Sequence, residues 1–345
     1  MSLGRLLDQS LGFLSQYMHF PCPPHPDTLD QLEAYTDLPV GTLFPPPPAD
    51  PAIQIGRSMP WLGCRRELLQ MPSAHRCLHP DYAARHATDY RNNHTLWARR
   101  ISPIRSHHPD LLIYAHGWMT PGAKIEELAL MPWAHRHFGA DIVHLDLPFH
   151  ARRQPAGSRV QGSYYWTADL VRTVEAVRQS VMDIRTLLRW ARQQGYRRVG
   201  VAGVSLGGVL TMLTACAEPD LDFACPIVAH TNLSAALETA PILAAMRRDL
   251  IRSNVSLLQV NELMGRVGFG SYPLAMDKER MLMVAAVDDL YLQPEHVLAD
   301  WERWGRPPIH WIGGGHMMIF PNMVPVWLRL SQLIHEVAPL HGPPA

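Results

Sequence analysis

Short apolar runs recur along the chain: LLIYA at 111–115, DIVHLDL at 141–147, RVGVAG at 198–203, FACPIVA at 223–229, MLMVAAV at 281–287 and PIHWIG at 308–313. Runs this short, bounded by Gly, Pro or polar residues, read as strands buried on both faces of a parallel sheet. Two earlier segments, ELLQMPSAHRC at 67–77 and HTLWARRI at 94–101, read as a further pair with an antiparallel start. Between the runs the apolar spacing is helical. It is clearest from Thr167 to Gln194, where Leu170, Val174, Val177, Val181, Ile184, Leu188 and Ala191 form one stripe. Gly195 follows where a left-handed C-cap is expected. Strands alternating with helices predict an α/β fold with a doubly wound, mostly parallel, eight-stranded sheet.

The ends and one insertion depart from that rhythm. Residues 1–19 have apolar positions at helical spacing and predict an amphipathic helix. Residues 21–60 are rich in proline, including Pro45–Pro48, and predict an extended arm that wraps a surface. Residues 231–279 exceed what one crossover needs, and SAALETAPILAAMRRDL and VSLLQVNELMGRV within them predict a small helical cap. The expected organisation is an N-terminal helix and Pro-rich extension over 1–64 and a catalytic domain over 65–345.

Chemistry enters at Gly203-Val204-Ser205-Leu206-Gly207, a GxSxG pattern. Such a pattern arises by chance about 0.1 times in a chain of this size, so its context carries the inference. An apolar run, Val199–Ala202, precedes it and a helix-compatible run, Val209–Cys216, follows it. A serine at the tip of a sharp strand-to-helix turn projects its hydroxyl above the sheet, and small residues two positions to either side relieve the crowding.

A serine hydroxyl needs a base, and the base needs an orienting carboxylate. Among 19 histidines, position must decide. His316, after Gly313-Gly-Gly315 and the last apolar run, is best placed as the base. His150 and His230 also follow strands but precede any plausible acid, so they are expected to line the pocket. The acid should follow the penultimate run, where Asp288 and Asp289 both qualify. The oxyanion of a tetrahedral intermediate needs backbone N–H donors. Leu206, at a helix N-terminus, is one candidate; Trp118 in Tyr114-Ala-His116-Gly117-Trp118-Met119 is the other, with Met119 as the less favoured choice. His116 itself reads as structural.

HGWM at 116–119, GVSLG at 203–207, VDDLYL at 287–292 and GGGH at 313–316 together resemble the α/β-hydrolase superfamily over residues 65–335. LDLPFHARR at 145–153 and the helix ending in LRWARQQG are similar to bacterial α/β-hydrolase-domain proteins. The superfamily often reads G-x-x-D-x-x-V-P at the acid, which favours Asp289 over Asp288. The resemblance implies an acyl-hydrolase with the triad Ser205, Asp289 and His316, working through an acyl-enzyme on an ester, thioester or amide without metal or organic cofactor. Acyl transfer by the same residues, or a non-catalytic binding protein on the same fold, are the alternatives.

Composition bounds the partners. The 345 residues carry 31 Lys plus Arg and 31 Asp plus Glu, a formal net charge of zero, so no global field attracts nucleic acid. Five cysteines, an odd number without a CxxC spacing, argue against a disulfide framework and a structural zinc site. His107-His108 and His135-x-His137 lack a carboxylate at helical spacing, which argues against metal-dependent hydrolysis. No apolar stretch reaches the 18 residues of a membrane span and no secretory signal is evident, so a cytoplasmic setting is expected. Trp118, Met119, Trp166, Met317, Met318 and Phe320 flank the inferred site and point to a small-molecule substrate with an apolar acyl or aryl group. Arg152 and Arg153 are candidates for binding a substrate carboxylate.

Overall fold

Each of the six apolar runs and the two earlier segments contributes a strand to one sheet in the computed structural model, which describes residues 2–19, 22–120, 126–128, 130, 137–158 and 160–340. The strands are β1 (Gln54–Ile55), β2 (Met59–Trp61), β3 (Cys64–Pro72), β4 (Thr95–Pro103), β5 (Asp110–Ala115), β6 (Ala140–Asp146), β7 (Arg198–Val204), β8 (Phe223–Ile227), β9 (Met283–Ala286) and β10 (Ile309–Ile312). Their order is β1-β3-β4-β6-β5-β7-β8-β9-β10, with β2 also paired to β3. Strands β3 and β4 are antiparallel to their neighbours, and β6, β5, β7, β8, β9 and β10 run parallel.

The sheet therefore has ten strands rather than eight. The two extra ones come from the Pro-rich arm, which is not simply extended. Leu62 and Gly63 both have positive φ, 48° and 79°, the geometry of a tight two-residue hairpin, and this pairs Trp61 with Cys64. The arm also holds short helices at Thr28–Glu33 and Val40–Leu43. Its Leu32, Tyr35, Leu43 and Phe44 are wholly buried in the main core. Strand β3 ends at Pro72, short of the expected 77, because proline has no N–H to continue a ladder.

Two apolar layers sandwich the sheet. Helices Leu170–Gln193 and Leu206–Ala217 cover one face, and Trp327, Leu330 and Ile334 of helix Met323–Glu336 cover the other. The expected stripe of Leu170–Gln193 is buried, and Gly195 has φ 81°. The opposite, polar face of that helix is buried too. Tyr35 donates to Glu175 at 2.7 Å, and Arg178 and Arg185 donate to the carbonyls of Leu43 (2.9 Å) and Phe44 (2.5 Å). The arm thus satisfies polar groups that would be costly to bury unpaired.

Strand order positions the site. From β5 the chain steps out to β6 and returns across β5 to β7, so the ends of β5 and β7 lie side by side with Ala115 opposite Gly203. Such a switch point leaves a crevice beyond the carboxyl ends of the strands. Residues 231–279 form helices Leu233–Thr239, Ala244–Arg252 and Leu257–Arg266. The N-terminal helix, Leu3–Met18, packs with an unexpected face inward. Gly4, Asp8, Gly12 and Ser15 are buried, while Leu3, Phe13, Leu14 and Tyr17 are exposed.

Candidate active site

Strand β7 delivers Ser205 into the first turn of helix Leu206–Ala217 with φ 56° and ψ −118°, a conformation that costs a non-glycine residue energy. The surrounding hydrogen bonds hold it there. Its N–H donates to the Ile227 carbonyl at 2.9 Å, and its carbonyl accepts from Val209 N–H at 3.0 Å. The flanking glycines are required by contact. A Cβ on Gly207 would sit 1.9 Å from the Ala115 carbonyl oxygen, and one on Gly203 would sit 2.4 Å from the Gly207 backbone.

A hydrogen-bonded chain runs from this serine. Ser205 Oγ lies 2.9 Å from His316 Nε2, and His316 Nδ1 lies 2.7 Å from Asp289 Oδ2. The geometry assigns the proton on Nδ1, donated to the carboxylate, leaving Nε2 to accept from the hydroxyl. The other Asp289 oxygen accepts the N–H groups of Tyr291 (2.8 Å) and Leu292 (2.9 Å), which fixes the carboxylate plane. Asp288, the alternative acid, points away and lies 3.5 Å from Arg5. Burial opposes a charged His316 ring, but Asp289, its hydrogen bond and nearby Asp8 outweigh that and raise the pKa above its ordinary value.

Asp8 is the residue that sequence reasoning missed. It is fully buried, and its Oδ2 accepts His316 N–H at 2.8 Å and Leu290 N–H at 3.2 Å. Its Oδ1 accepts Met317 N–H at 3.2 Å, and its carbonyl accepts the Tyr291 hydroxyl at 2.6 Å. One carboxylate from the N-terminal helix therefore ties together the loops that carry Asp289 and His316. The helix can come this close because Gly4 meets Gly315; a Cβ on Gly4 would lie 2.1 Å from Gly315 N. Only the small residues spaced four apart, Gly4, Asp8 and Gly12, hinted at a closely packed face.

Trp118 and Leu206 both line the cavity in front of Ser205. The Gly117 carbonyl accepts from His116 Nδ1 and Thr120 Oγ1, each at 2.8 Å. In a trans peptide, anchoring that oxygen turns the Trp118 N–H to the opposite side. Leu206 is the first residue of its helix, where the N–H has no acceptor within the helix. His116 is a scaffold residue as expected, with Nε2 accepting Leu147 N–H at 3.3 Å, and burial lowers its pKa so that it stays neutral.

The cavity encloses about 560 Å³ and is lined mainly by apolar side chains, among them Trp118, Trp166, Leu233, Ile242, Met317 and Met323. Met119 and Phe320 line it as expected, whereas Met318 does not and packs against Gly314. Leu233 and Ile242, from the segment 231–279, were not anticipated. Glu126 is the carboxylate in the lining, and it accepts from His144 at 3.1 Å and Thr120 at 3.3 Å.

Several expected residues lie elsewhere. His150 and His230 are buried outside the lining; His150 donates to the Pro148 carbonyl at 2.8 Å and meets the His116 ring edge-on. Arg153 is wholly buried, pairing with Asp183 at 2.7 Å, and Arg152 stands over Trp97 and 3.5 Å from Asp146. Neither arginine lines the cavity, so neither is available to a substrate carboxylate there. His107 does have a carboxylate partner, Asp141 at 2.7 Å, which sequence spacing could not reveal; His135 lies outside the described residues. No described helix is long and apolar enough to cross a membrane.

A family model, alpha/beta hydrolase domain containing 18, matches residues 139–262. The chain is 31% identical over 217 residues to uncharacterised proteins of Mycobacterium tuberculosis strains CDC 1551 and H37Rv, a match covering 61% of this chain and 50% of each relative. It thus spans about half the length of the curated relatives it matches. Among solved structures, an acetyl xylan esterase from Paenibacillus sp. R4 aligns with a TM-score of 0.54 at 14% identity, covering 93% of this chain and 98% of that one. Acetyl xylan esterase 1 from Thermoanaerobacterium sp. JW/SL YS485 aligns at 0.51 and 17% identity, covering 94% and 98%. Strand order, the serine turn and these likenesses agree: this is a protein of the α/β-hydrolase fold.

Proposed function

We propose that the protein is a serine hydrolase that cleaves a carboxylic ester, or a related thioester or amide, through an acyl-enzyme on Ser205. The observation that carries this reading is the continuous chain Ser205–His316–Asp289, with heavy-atom distances of 2.9 and 2.7 Å. His316 takes the hydroxyl proton as Ser205 attacks the carbonyl, and Asp289 stabilises the imidazolium that forms. The N–H groups of Trp118 and Leu206 bind the oxyanion. His316 then returns the proton to the leaving group, and a water activated by the same ring releases the acid and restores Ser205.

The fold's likeness to acetyl xylan and other esterases agrees with hydrolysis but does not set the substrate. The apolar cavity of about 560 Å³ supports a substrate with an apolar acyl or aryl group. Asp8 acts as a positioning residue, holding the backbone on both sides of the His316–Asp289 pair. The test is labelling of the full chain with a fluorophosphonate, then turnover of an ester panel of graded acyl length. Labelling that disappears in Ser205→Ala, with hydrolysis of at least one panel member, is expected. Failure of the wild-type chain to label would overturn the proposal.

A further inference from the structure

We propose that His75, Cys77 and His86 form a binding site for a divalent transition metal ion of the zinc class, outside the Ser205 cavity. One ligand atom from each lies within 4.8 Å of the other two. His75 and Cys77 sit on the segment after β3, and His86 on helix Pro80–Asp89.

The hydrogen bonding around the three residues favours a cation over a simple packing cluster. His75 Nε2 donates to Glu175 Oε2 at 2.7 Å, so its Nδ1 carries a lone pair. That Nδ1 is buried and has no partner among the described residues, and the same is true of His86 Nε2. Two buried imidazole nitrogens without hydrogen-bond partners, on residues clustered with one thiol, are expensive unless something fills the space between them. Glu175 completes the arrangement as the carboxylate that orients a metal-binding histidine from behind. It is itself held by Tyr35 Oη and Leu78 N–H, both at 2.7 Å, and by Arg178.

Two imidazoles and a thiolate suit zinc, with Zn–N near 2.0–2.1 Å and Zn–S near 2.3 Å. A tetrahedral ion with those bonds draws its ligands to roughly 3.4–3.6 Å apart, so closure asks for about an ångström of side-chain movement. Binding releases the Cys77 proton to solvent and leaves a fourth position for water. The ion would fasten helix Pro80–Asp89 to the segment leaving β3. The absence of a CxxC spacing hid this site, because two of its ligands are histidines and one of these, His86, arrives from a helix.

The full-length chain, stripped with chelator and dialysed against Zn²⁺, should retain one equivalent by elemental analysis, and Zn²⁺ should raise its Tm. Cys77→Ser and His86→Gln should each weaken retention by more than the roughly 10–100-fold expected for losing an outer-shell partner. Co²⁺ should give a thiolate-to-metal charge-transfer band in the wild type that Cys77→Ser lacks. Far-UV circular dichroism of both variants checks that they fold. A wild type that retains no more zinc than the variants, or a Co²⁺ adduct without the thiolate band, would overturn the proposal.

Discussion

Asp8 and His316 are 308 residues apart in the chain, yet Asp8 Oδ2 accepts the His316 backbone N–H at 2.8 Å. The same carboxylate accepts Leu290 and Met317 N–H groups, so the N-terminal helix braces both loops of the proposed acid–base pair. Asp8→Asn turns an amide NH₂ toward N–H donors and removes a buried negative charge. Losing such hydrogen bonds costs about 1–3 kcal/mol, and if part of that falls on the transition state, kcat should drop roughly 10-fold with KM little changed. Steady-state kinetics on the preferred ester would show the split; an equal change in stability with unaltered kcat would reduce Asp8 to a structural role.

The pH profile carries a sign. His316 must be neutral to act as a base, and its pKa is raised above 6.5, with burial opposed and outweighed by Asp289 and Asp8. Activity should therefore fall as pH decreases through a value above 6.5, because protonation removes the base. Asp8→Asn deletes one of the charges that raise the pKa, so its acid limb should move to lower pH. A pH series of kcat/KM for the two proteins measures both effects.

The two adjacent acids should separate cleanly. Asp289→Asn leaves His316 without a carboxylate on Nδ1 and should reduce kcat by up to about 10⁴-fold. Asp288→Asn affects only a contact with exposed Arg5 and should stay within about 2-fold, as for most surface ion pairs. Parallel kinetics on both variants decide between them.

Gly207→Ala should be disruptive without touching any reacting group. Its Cβ would meet the Ala115 carbonyl oxygen at 1.9 Å and the His116 carbonyl oxygen at 2.9 Å, backbone atoms with no flexible side chain to yield. Overpacking of this kind costs typically 1–3 kcal/mol and can cost more. A lowered urea midpoint together with weakened fluorophosphonate labelling is expected.

Ile242 and Leu233 narrow the cavity from the segment 231–279. Ile242→Trp should shift the ester preference toward shorter acyl groups while leaving fluorophosphonate labelling intact. Ile242→Ala should extend it by a few methylenes, each worth about 0.8 kcal/mol when buried. Chain-length profiles of kcat/KM report the shift, and an unchanged profile would mean that the acyl group binds elsewhere.

Local pattern was enough for eight of the sheet's ten strands, and it pointed to Ser205 and His316, which the fold brings within hydrogen-bond distance. The six apolar runs became strands because a run of that length has to leave water, and the GxSxG pattern marks its turn within five residues, although the crowding that demands Gly207 comes from Ala115. His316 was legible because it follows the last run across three glycines. The acid stayed ambiguous by one residue, since Asp288 and Asp289 differ only in which way the turn points them.

What tertiary structure alone decided concerns buried polar groups. The helix at Leu3–Met18 has an apolar stripe, yet it buries the face bearing Gly4, Asp8 and Gly12. Arg153 reads as a candidate for a substrate carboxylate, but Asp183 and two backbone carbonyls enclose it. The polar face of Leu170–Gln193 reads as solvated until the Pro-rich arm supplies its partners. Apolar periodicity reports which residues avoid water, a property each segment carries by itself. A charged or polar residue can be buried only beside its partners, and here those partners come from up to 308 residues away, so the chain's order could not show them.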